Sequence, residues 1–228
     1  MTSISKNIAT LLTRIRRCEA ENQREPGSVE LLAVSKKHGV DKIIEAYEAG
    51  QRHFGENYLQ EAEAKIAELG ELEIVWHFIG PIQSNKTRGI ANQFDWVHSV
   101  DRLKIARRLS EQRSPELSEL NLCVQVNVSQ EDSKSGAAME ELASLCGAIN
   151  ELPNIRLRGL MAIPEATTDI ARQHAVFHEL AEKFTELRHG LPHMDTLSMG
   201  MTDDYPAAIA EGATFIRIGT AIFGKRTD

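Results

Sequence analysis

Two adjacent lysines follow a short apolar segment in the first quarter of the sequence. Lys36 and Lys37 come directly after residues 31–35. A lysine amine attacks carbonyl groups once burial or a neighbouring cation has removed its proton at neutral pH. Arg217, in an apolar segment near the C-terminus, is a candidate for that cation. Adjacent lysines are also common on solvated surfaces, and the pattern alone does not decide which of the two points into a site.

Two glycine-containing segments near the C-terminus are candidates for binding an anion. Ser198 and Gly200 follow one apolar segment, and Gly219 and Thr220 follow the next. Glycine lets backbone N–H groups approach a phosphate closely, and the start of a following helix adds a favourable dipole. Hydroxyl groups would add further donors. The alternative is that both segments are ordinary turns without a ligand.

Other polar residues have both a functional and a structural interpretation. Asn57, at the end of Gly55-Glu56-Asn57, either faces a ligand or caps a helix. His77 lies within an apolar segment, which favours a hydrogen-bonded core histidine over a catalytic base. His174 and His178 have a spacing that can bind zinc. No third ligand and no HExxH pattern accompany them, which favours a surface pair.

The elements that must position these residues alternate regularly along the chain. Short segments rich in β-branched and aromatic residues are separated by helical patterns, which predicts βα units and a parallel sheet. The predicted strands are residues 31–35, 52–54, 75–79, 96–99, 122–128, 157–162, 196–199 and 215–218. The predicted helices between them are residues 41–49, 57–69, 85–92, 101–112, 139–150, 169–189 and 203–211.

Eight strands in 228 residues favour a single-domain TIM (β/α)8 barrel over residues 1–228. The mean spacing of about 28 residues is close to the ~30 of a minimal βα unit. A doubly wound open sheet is the alternative. In a barrel, ligands bind at the carboxyl ends of the strands and phosphate usually binds after strands seven and eight. The two glycine-containing segments fall at those places, and closure would put Arg217 beside the first strand.

An additional helix is predicted at the N-terminus. Its apolar stripe runs from Ile4 to Ile15, Ser3 or Thr2 caps its start, and Pro26-Gly27 ends it. The few residues after the last strand cannot form a normal eighth helix. We therefore expect the N-terminal helix to lie between the last strand and the first.

Composition excludes several classes of protein. The 33 acidic and 26 basic residues give a net charge of −7 without a basic block, which argues against nucleic-acid binding. With 42% apolar residues the chain can form a large core. No apolar run approaches the roughly 20 residues of a membrane-spanning helix, and the start does not resemble a signal peptide. Three widely spaced cysteines fit reduced thiols in the cytoplasm.

Seven segments, taken together and in this order, resemble the pyridoxal phosphate homeostasis proteins. The segments extend from the first predicted strand to the last, so the resemblance covers essentially the whole chain. They are LAVSK (32–36), FGENY (54–58), WHFIGPIQSNK (76–86), SKSG (133–136), RGLMAIP (158–164), LSMGMTDD (197–204) and IRIGTAIFG (216–224).

This resemblance implies a barrel like the N-terminal domain of alanine racemase (fold type III), binding pyridoxal 5′-phosphate (PLP). It places the lysine that forms the Schiff base at Lys36; Lys37 would point to the opposite face of the strand. Arg217 matches the arginine that faces the pyridine nitrogen. The remaining matches are phosphate-binding positions at Ser198, Gly200, Gly219 and Thr220, and positions lining the ring at Asn57 and Met161.

The same resemblance implies a cytoplasmic monomer that holds, buffers or delivers PLP without a reaction of its own, with PLP-dependent enzymes as transient partners. An arginine at the pyridine nitrogen disfavours protonation there and so weakens carbanion chemistry. The barrel also fills the chain, which leaves no room for the second domain that supplies a tyrosine base in racemases. The alternatives are a weak PLP-dependent amino-acid racemase or transaminase, and a phosphosugar-type barrel enzyme without PLP.

Overall fold

The eight predicted strands close into a parallel barrel, which confirms the barrel prediction and excludes the open sheet. The computed structural model describes residues 3–129 and 135–224. Each strand pairs with the next, and the last pairs with the first from Glu30 opposite Phe215 to Ala33 opposite Ile218. The strands are β1 (Glu30–Val34), β2 (His53–Glu56), β3 (Val75–Phe78), β4 (Trp96–Val100), β5 (Leu120–Val126), β6 (Ile155–Ala162), β7 (Thr196–Ser198) and β8 (Phe215–Ile218).

Helices follow each strand and cover the outside of the barrel. They are α1 (Ile4–Glu21), α2 (Val40–Glu48), α3 (Leu59–Glu68), α4 (Thr87–Gln93), α5 (Leu103–Gln112), α6 (Leu142–Asn150), α7 (Ile170–Arg188), α8 (Tyr205–Ala210) and α9 (Thr220–Phe223). A 3₁₀ turn at Met139–Glu141 precedes α6. Within the described residues, none of these helices has the length and apolarity needed to cross a membrane. Ser133 and Lys134 of the SKSG segment lie outside the described residues.

The N-terminal helix occupies the place of the eighth barrel helix, as predicted. The helix α9 has a single turn, and α1 packs against α2, α8 and α9. Ile4 N–H donates to Glu45 Oε1 at 2.8 Å, and Asn7 Nδ2 donates to the carbonyl oxygen of Ile222 at 2.8 Å. Ser3 caps α1 by accepting from Lys6 N–H.

The end of α1 was predicted at Pro26-Gly27, which is wrong because the helix ends at Glu21. The buried carboxylate of Glu19 accepts the backbone N–H groups of Gly27 at 3.1 Å and of Val29 at 2.8 Å. These bonds stabilise a connecting segment between α1 and β1 instead of two further helical turns.

Side chains alternate between the helix-covered outside of the barrel and its interior. Outward residues such as Phe54, Val97 and Ile216 join the large core beneath the helices. The interior contains a separate apolar cluster of five buried residues, namely Leu32, Trp96, Cys123, Met161 and Phe215. It also contains three histidines, His53, His77 and His98, on the adjacent strands β2, β3 and β4.

Candidate functional site

A cavity of about 180 Å³ lies at the carboxyl ends of the strands. It brings together five of the eight predicted site residues, which come from β1, β2 and β8 or from the loops after them. These five are Lys36, Asn57, Arg217, Gly219 and Thr220. The rest of its wall was not predicted and consists of Val34, Ile79, Ile163, Met201 and Thr202.

Lys36 lines the cavity from the turn that follows β1. Leu32 lies in the interior cluster, and Val34 and Lys36 both line the cavity. Lys37 is exposed and adopts a left-handed backbone conformation with φ of 62°. Both lysines lie beyond the last residue of β1, so a turn, and not the pleat of a strand, separates their side chains. Of the two lysines, Lys36 is therefore the one that lines the cavity.

A buried ion pair supports the turn that carries Lys36. Lys65 Nζ on α3 lies 2.7 Å from Glu56 Oε1 and donates to the carbonyl oxygen of Ser35 at 3.0 Å. Ser35 Oγ donates to the same Glu56 oxygen at 2.6 Å. Glu61 Oε1 accepts both Lys65 Nζ and the backbone N–H of Lys37. Burial raises the pKa of Glu56, and the adjacent Lys65 cation opposes that rise.

Asn57 presents an unpartnered polar atom at the cavity. Its Oδ1 is buried and has no hydrogen-bond partner among the described residues. Gly80 packs directly against the Asn57 backbone, since a Cβ at position 80 would lie 2.1 Å from the Asn57 carbonyl oxygen. A larger residue at position 80 would therefore push Asn57 out of place.

Arg217 is a buried cation held by neutral acceptors. Its side chain lines the cavity although the residue is only 5% exposed. Nη1 donates to Ser198 Oγ and Nη2 donates to the carbonyl oxygen of Ala162, each at 2.8 Å. Burial lowers the pKa of Arg217 to about 10, with Asp204 as the main opposing charge. A cation in this position is suited to meet an anionic or electron-rich ligand.

The other three predicted residues lie close by but are not part of the cavity wall. Ser198 is fully buried, and its hydroxyl bonds to Arg217 and His98. Met161 belongs to the interior cluster and pairs with Ser198 in the register of β6 and β7. Gly200 has φ of 93° and packs against α8. The next two residues of this loop, Met201 and Thr202, line the cavity.

The histidines outside the cavity lie where the sequence placed them. His77 is fully buried and both ring nitrogens are within hydrogen-bond distance of another histidine, which confirms its prediction as a core residue. His174 is half-buried and His178 is exposed on α7, and both bond to Glu211. Across residues 3–129 and 135–224, no group of three or more His, Cys, Asp or Glu side chains could hold a metal ion.

Two polar networks were missed by sequence reasoning, the ion pair below Lys36 and the interior histidines. The histidines could have been found from the alternation of side chains along the strands. His53 is an even number of residues from Asn57, so a strand would point both side chains to the same, inner face of the barrel. The pairing of Glu56 with Lys65 had no such signal, because an acidic residue after a glycine and a lysine on an amphipathic helix are both ordinary surface features.

The chain is similar to known proteins over nearly its whole length. The family described as "Alanine racemase, N-terminal domain" matches residues 9–227. A Pseudomonas aeruginosa relative named "Pyridoxal phosphate homeostasis protein" is 60% identical over 226 residues, covering 99% of this chain and 97% of the relative. PipY of Synechococcus elongatus, solved with PLP bound, is 40% identical with a TM-score of 0.85, and the match covers 97% of this chain and 100% of PipY.

Alanine racemase from Corynebacterium glutamicum is similar in fold alone, with 18% identity, a TM-score of 0.67 and coverage of 99% of this chain and 61% of that one. The identity to the curated relatives extends over nearly the full length of both chains. The chain therefore belongs to the pyridoxal phosphate homeostasis proteins, a family built on the barrel of the alanine racemase N-terminal domain.

Proposed function

We propose that this protein binds PLP in the cavity and holds it through a covalent bond between Lys36 and the aldehyde. The observation that carries the proposal is that Lys36 and Arg217 line one cavity together with the loop after β8. The name of the P. aeruginosa relative and the PLP bound to PipY support the same ligand.

The residues at the cavity fit the chemical groups of PLP. Gly219 and Thr220 begin α9, where the first N–H groups of a helix have no intrahelical acceptor and can bind a phosphate. Gly200 in the neighbouring loop is proposed to complete the phosphate site, and Ser198, whose hydroxyl bonds to Arg217 and His98, is proposed to act on the ligand through Arg217. The unpartnered Asn57 Oδ1 needs a donor, and a bound ligand beside it would supply one. Met161 is proposed to support the ring from the barrel interior.

The proposed role is to hold, buffer or deliver the cofactor without turnover. When bound, PLP supplies an electron sink, and a cation facing its ring nitrogen weakens that sink. The charged residues of the cavity wall, within the described ranges, are Lys36 and Arg217. A two-base racemase needs a second proton carrier, and that part of the wall contains no tyrosine, histidine or carboxylate.

Saturation with PLP, removal of the unbound PLP by gel filtration and visible absorption of the protein fraction test the binding site. We expect the wild-type protein and Lys37→Ala to become yellow, whereas Lys36→Ala stays folded by circular dichroism but does not develop the colour. Lys37→Ala is the matched control, because it removes the adjacent, exposed amine. An uncoloured wild-type protein at saturating PLP would contradict the proposal. Multiple-turnover racemisation or transamination of an amino acid, lost in Lys36→Ala, would contradict the non-catalytic role.

The assembly and the location are further proposals. We propose a monomer, which light scattering at micromolar concentration would test, and a stable dimer would contradict it. A cytoplasmic location is supported by Cys18, Cys123 and Cys146, all of which are free thiols. Transient contact with PLP-dependent enzymes follows from a delivery role and is proposed on that basis alone.

A further inference from the structure

A chain of hydrogen bonds crosses the barrel interior and ends below the cavity. His53 Nδ1 lies 2.9 Å from His77 Nε2, and His77 Nδ1 lies 2.9 Å from His98 Nε2. His98 Nδ1 lies 2.8 Å from Ser198 Oγ, which also accepts from Arg217 Nη1 at 2.8 Å. We call His53, His77, His98 and Ser198 the interior histidine chain. It connects three adjacent strands to the guanidinium that lines the cavity.

This interior is unusually polar for a barrel, in which branched apolar residues normally fill the layers. His77 stacks on Trp96 with ring centroids 5.6 Å apart, and Phe215 packs against all three histidine rings. His77, His98 and Ser198 are fully buried. Burial lowers the pKa of His77 well below its ordinary value and that of His98 to about 3, so both rings are neutral at pH 7.

Neutral imidazole rings impose one direction on such a chain. Each ring has one N–H donor and one bare nitrogen acceptor, so fixing the donor in one hydrogen bond fixes every other bond along the chain. Two arrangements are therefore possible. Either every histidine carries its proton on Nε2 and Ser198 donates into the chain, or every histidine carries it on Nδ1 and His98 donates to Ser198.

The serine hydroxyl distinguishes the two arrangements. Ser198 Oγ has two hydrogen-bond partners among the described residues, Arg217 and His98. Arginine has no acceptor, so the hydroxyl hydrogen can go only to His98 Nδ1 within this pair. The opposite direction would leave a buried hydroxyl hydrogen without an acceptor, which is costly. Donation by Ser198 also makes its oxygen a stronger acceptor for the Arg217 cation, because bonds in a chain polarise one another.

We infer that the interior histidine chain runs from Arg217 through Ser198 to His53, with all three histidines protonated on Nε2, and that His98 thereby acts as a positioning residue for Arg217. The direction moves partial positive charge from the buried guanidinium toward the other end of the chain. Glu30 and Asp95 are the charged groups that act on His53 there, and Arg217 is the charged group that acts on His98. The carboxylates thus compensate part of the Arg217 charge from a distance.

The protonated nitrogens of the three rings can be observed directly. In the ¹⁵N-labelled wild-type protein without cofactor, long-range ¹H–¹⁵N correlation spectra at pH 7 should show a proton on Nε2 of His53, His77 and His98. A proton on Nδ1 of His77 or His98, or a charged ring at either position, would overturn the inference. This measurement needs neither a variant nor PLP, so it stands if the proposed function fails.

A pair of substitutions at His98 tests its action on Arg217; this part rests on the proposed function. His98→Phe keeps a ring but removes the acceptor and the donor, whereas His98→Gln keeps one of each. We expect His98→Phe to bind PLP about tenfold more weakly, equivalent to about 1.4 kcal/mol, with a shifted visible spectrum. His98→Gln should stay close to wild type.

The matched control is His174→Phe, the same change at a surface histidine bonded to Glu211, which should leave PLP affinity unchanged. Equal losses in His98→Phe and His98→Gln would show that shape alone matters and would overturn the positioning role. A wild-type protein that does not bind PLP would refute the proposed function instead. If His98→Phe does not fold, the wild-type spectra still decide the direction of the chain.

Discussion

Replacement of Lys65 with methionine tests how the turn carrying Lys36 is supported. Methionine keeps an unbranched side chain but removes the charge that lies 2.7 Å from Glu56 Oε1. Glu56 is fully buried, and its other oxygen, Oε2, has no hydrogen-bond partner among the described residues. In Lys65→Met, the hydroxyl of Ser35 would be the remaining donor to this carboxylate within the described network.

The expected loss of stability follows from the burial of the pair. Removing one partner of a buried ion pair costs about 3–5 kcal/mol, because the other charge stays buried without compensation. Burial already raises the pKa of Glu56. In the variant this carboxyl therefore binds a proton more readily in the folded state than in the unfolded state. As the pH rises above the ordinary carboxyl pKa, the unfolded chain loses this proton first, so the loss in free energy of unfolding caused by Lys65→Met should grow.

Urea denaturation at pH 5 and pH 8, followed by circular dichroism, measures the effect. The double variant Lys65→Met/Glu56→Leu should recover about 2 kcal/mol of the loss, because it also removes the unpaired carboxylate. Lys183→Met is the control, since it breaks an ion pair of 2.9 Å with Glu186 on the surface, worth less than about 1 kcal/mol. A loss in Lys65→Met as small as in the control, or no recovery in the double variant, would refute this account.

Three further predictions concern acid stability, backbone strain and the phosphate. Burial lowers the pKa of His98 to about 3, so below pH 6.5 the unfolded chain binds a proton that the folded barrel does not. In urea titrations from pH 6.5 to 4.5, the free energy of unfolding of the wild type should therefore fall by up to about 1.4 kcal/mol more per pH unit than that of His98→Phe. Parallel profiles would contradict this. In Gly200→Ala the new Cβ would lie 2.6 Å from Ala208 Cβ at φ of 93°, so a stability loss of about 1–3 kcal/mol is expected in thermal unfolding, and an unchanged midpoint would exclude the strain. Pyridoxal without its phosphate should bind at least ~100-fold more weakly than PLP by equilibrium titration; equal affinities would show that the loops after β7 and β8 are ordinary turns.

The barrel and the presence of Lys36 in the cavity wall were within reach of the sequence. Apolar strands covered on both faces and regularly spaced helices specify βα units, and the apolar stripe of the N-terminal segment predicts a further helix packed on the barrel. The predicted ends of the strands were less accurate where the residue types are unusual for a strand. Gly55 and Glu56 complete β2 although both residue types are depleted in strands.

The polar networks could not be predicted because they depend on register between strands. Gly55 pairs with His77, and His77 pairs with Trp96. This register places His77 within hydrogen-bond distance of both His53 and His98. Ser198 illustrates the same limit. Its place at the end of a strand predicts a phosphate donor, but only the closed barrel shows that its hydroxyl bonds to both Arg217 and His98.

Chemical trapping tests the central claim most directly. Borohydride reduction of the protein saturated with PLP, followed by peptide mass mapping, locates the amine that bonds to the aldehyde. We predict a single pyridoxyl group on Lys36, because its side chain lines the cavity while Lys37 is exposed on the turn beyond β1. A pyridoxyl group on Lys37 or on any other lysine, or none after reduction of a saturated sample, would contradict the account.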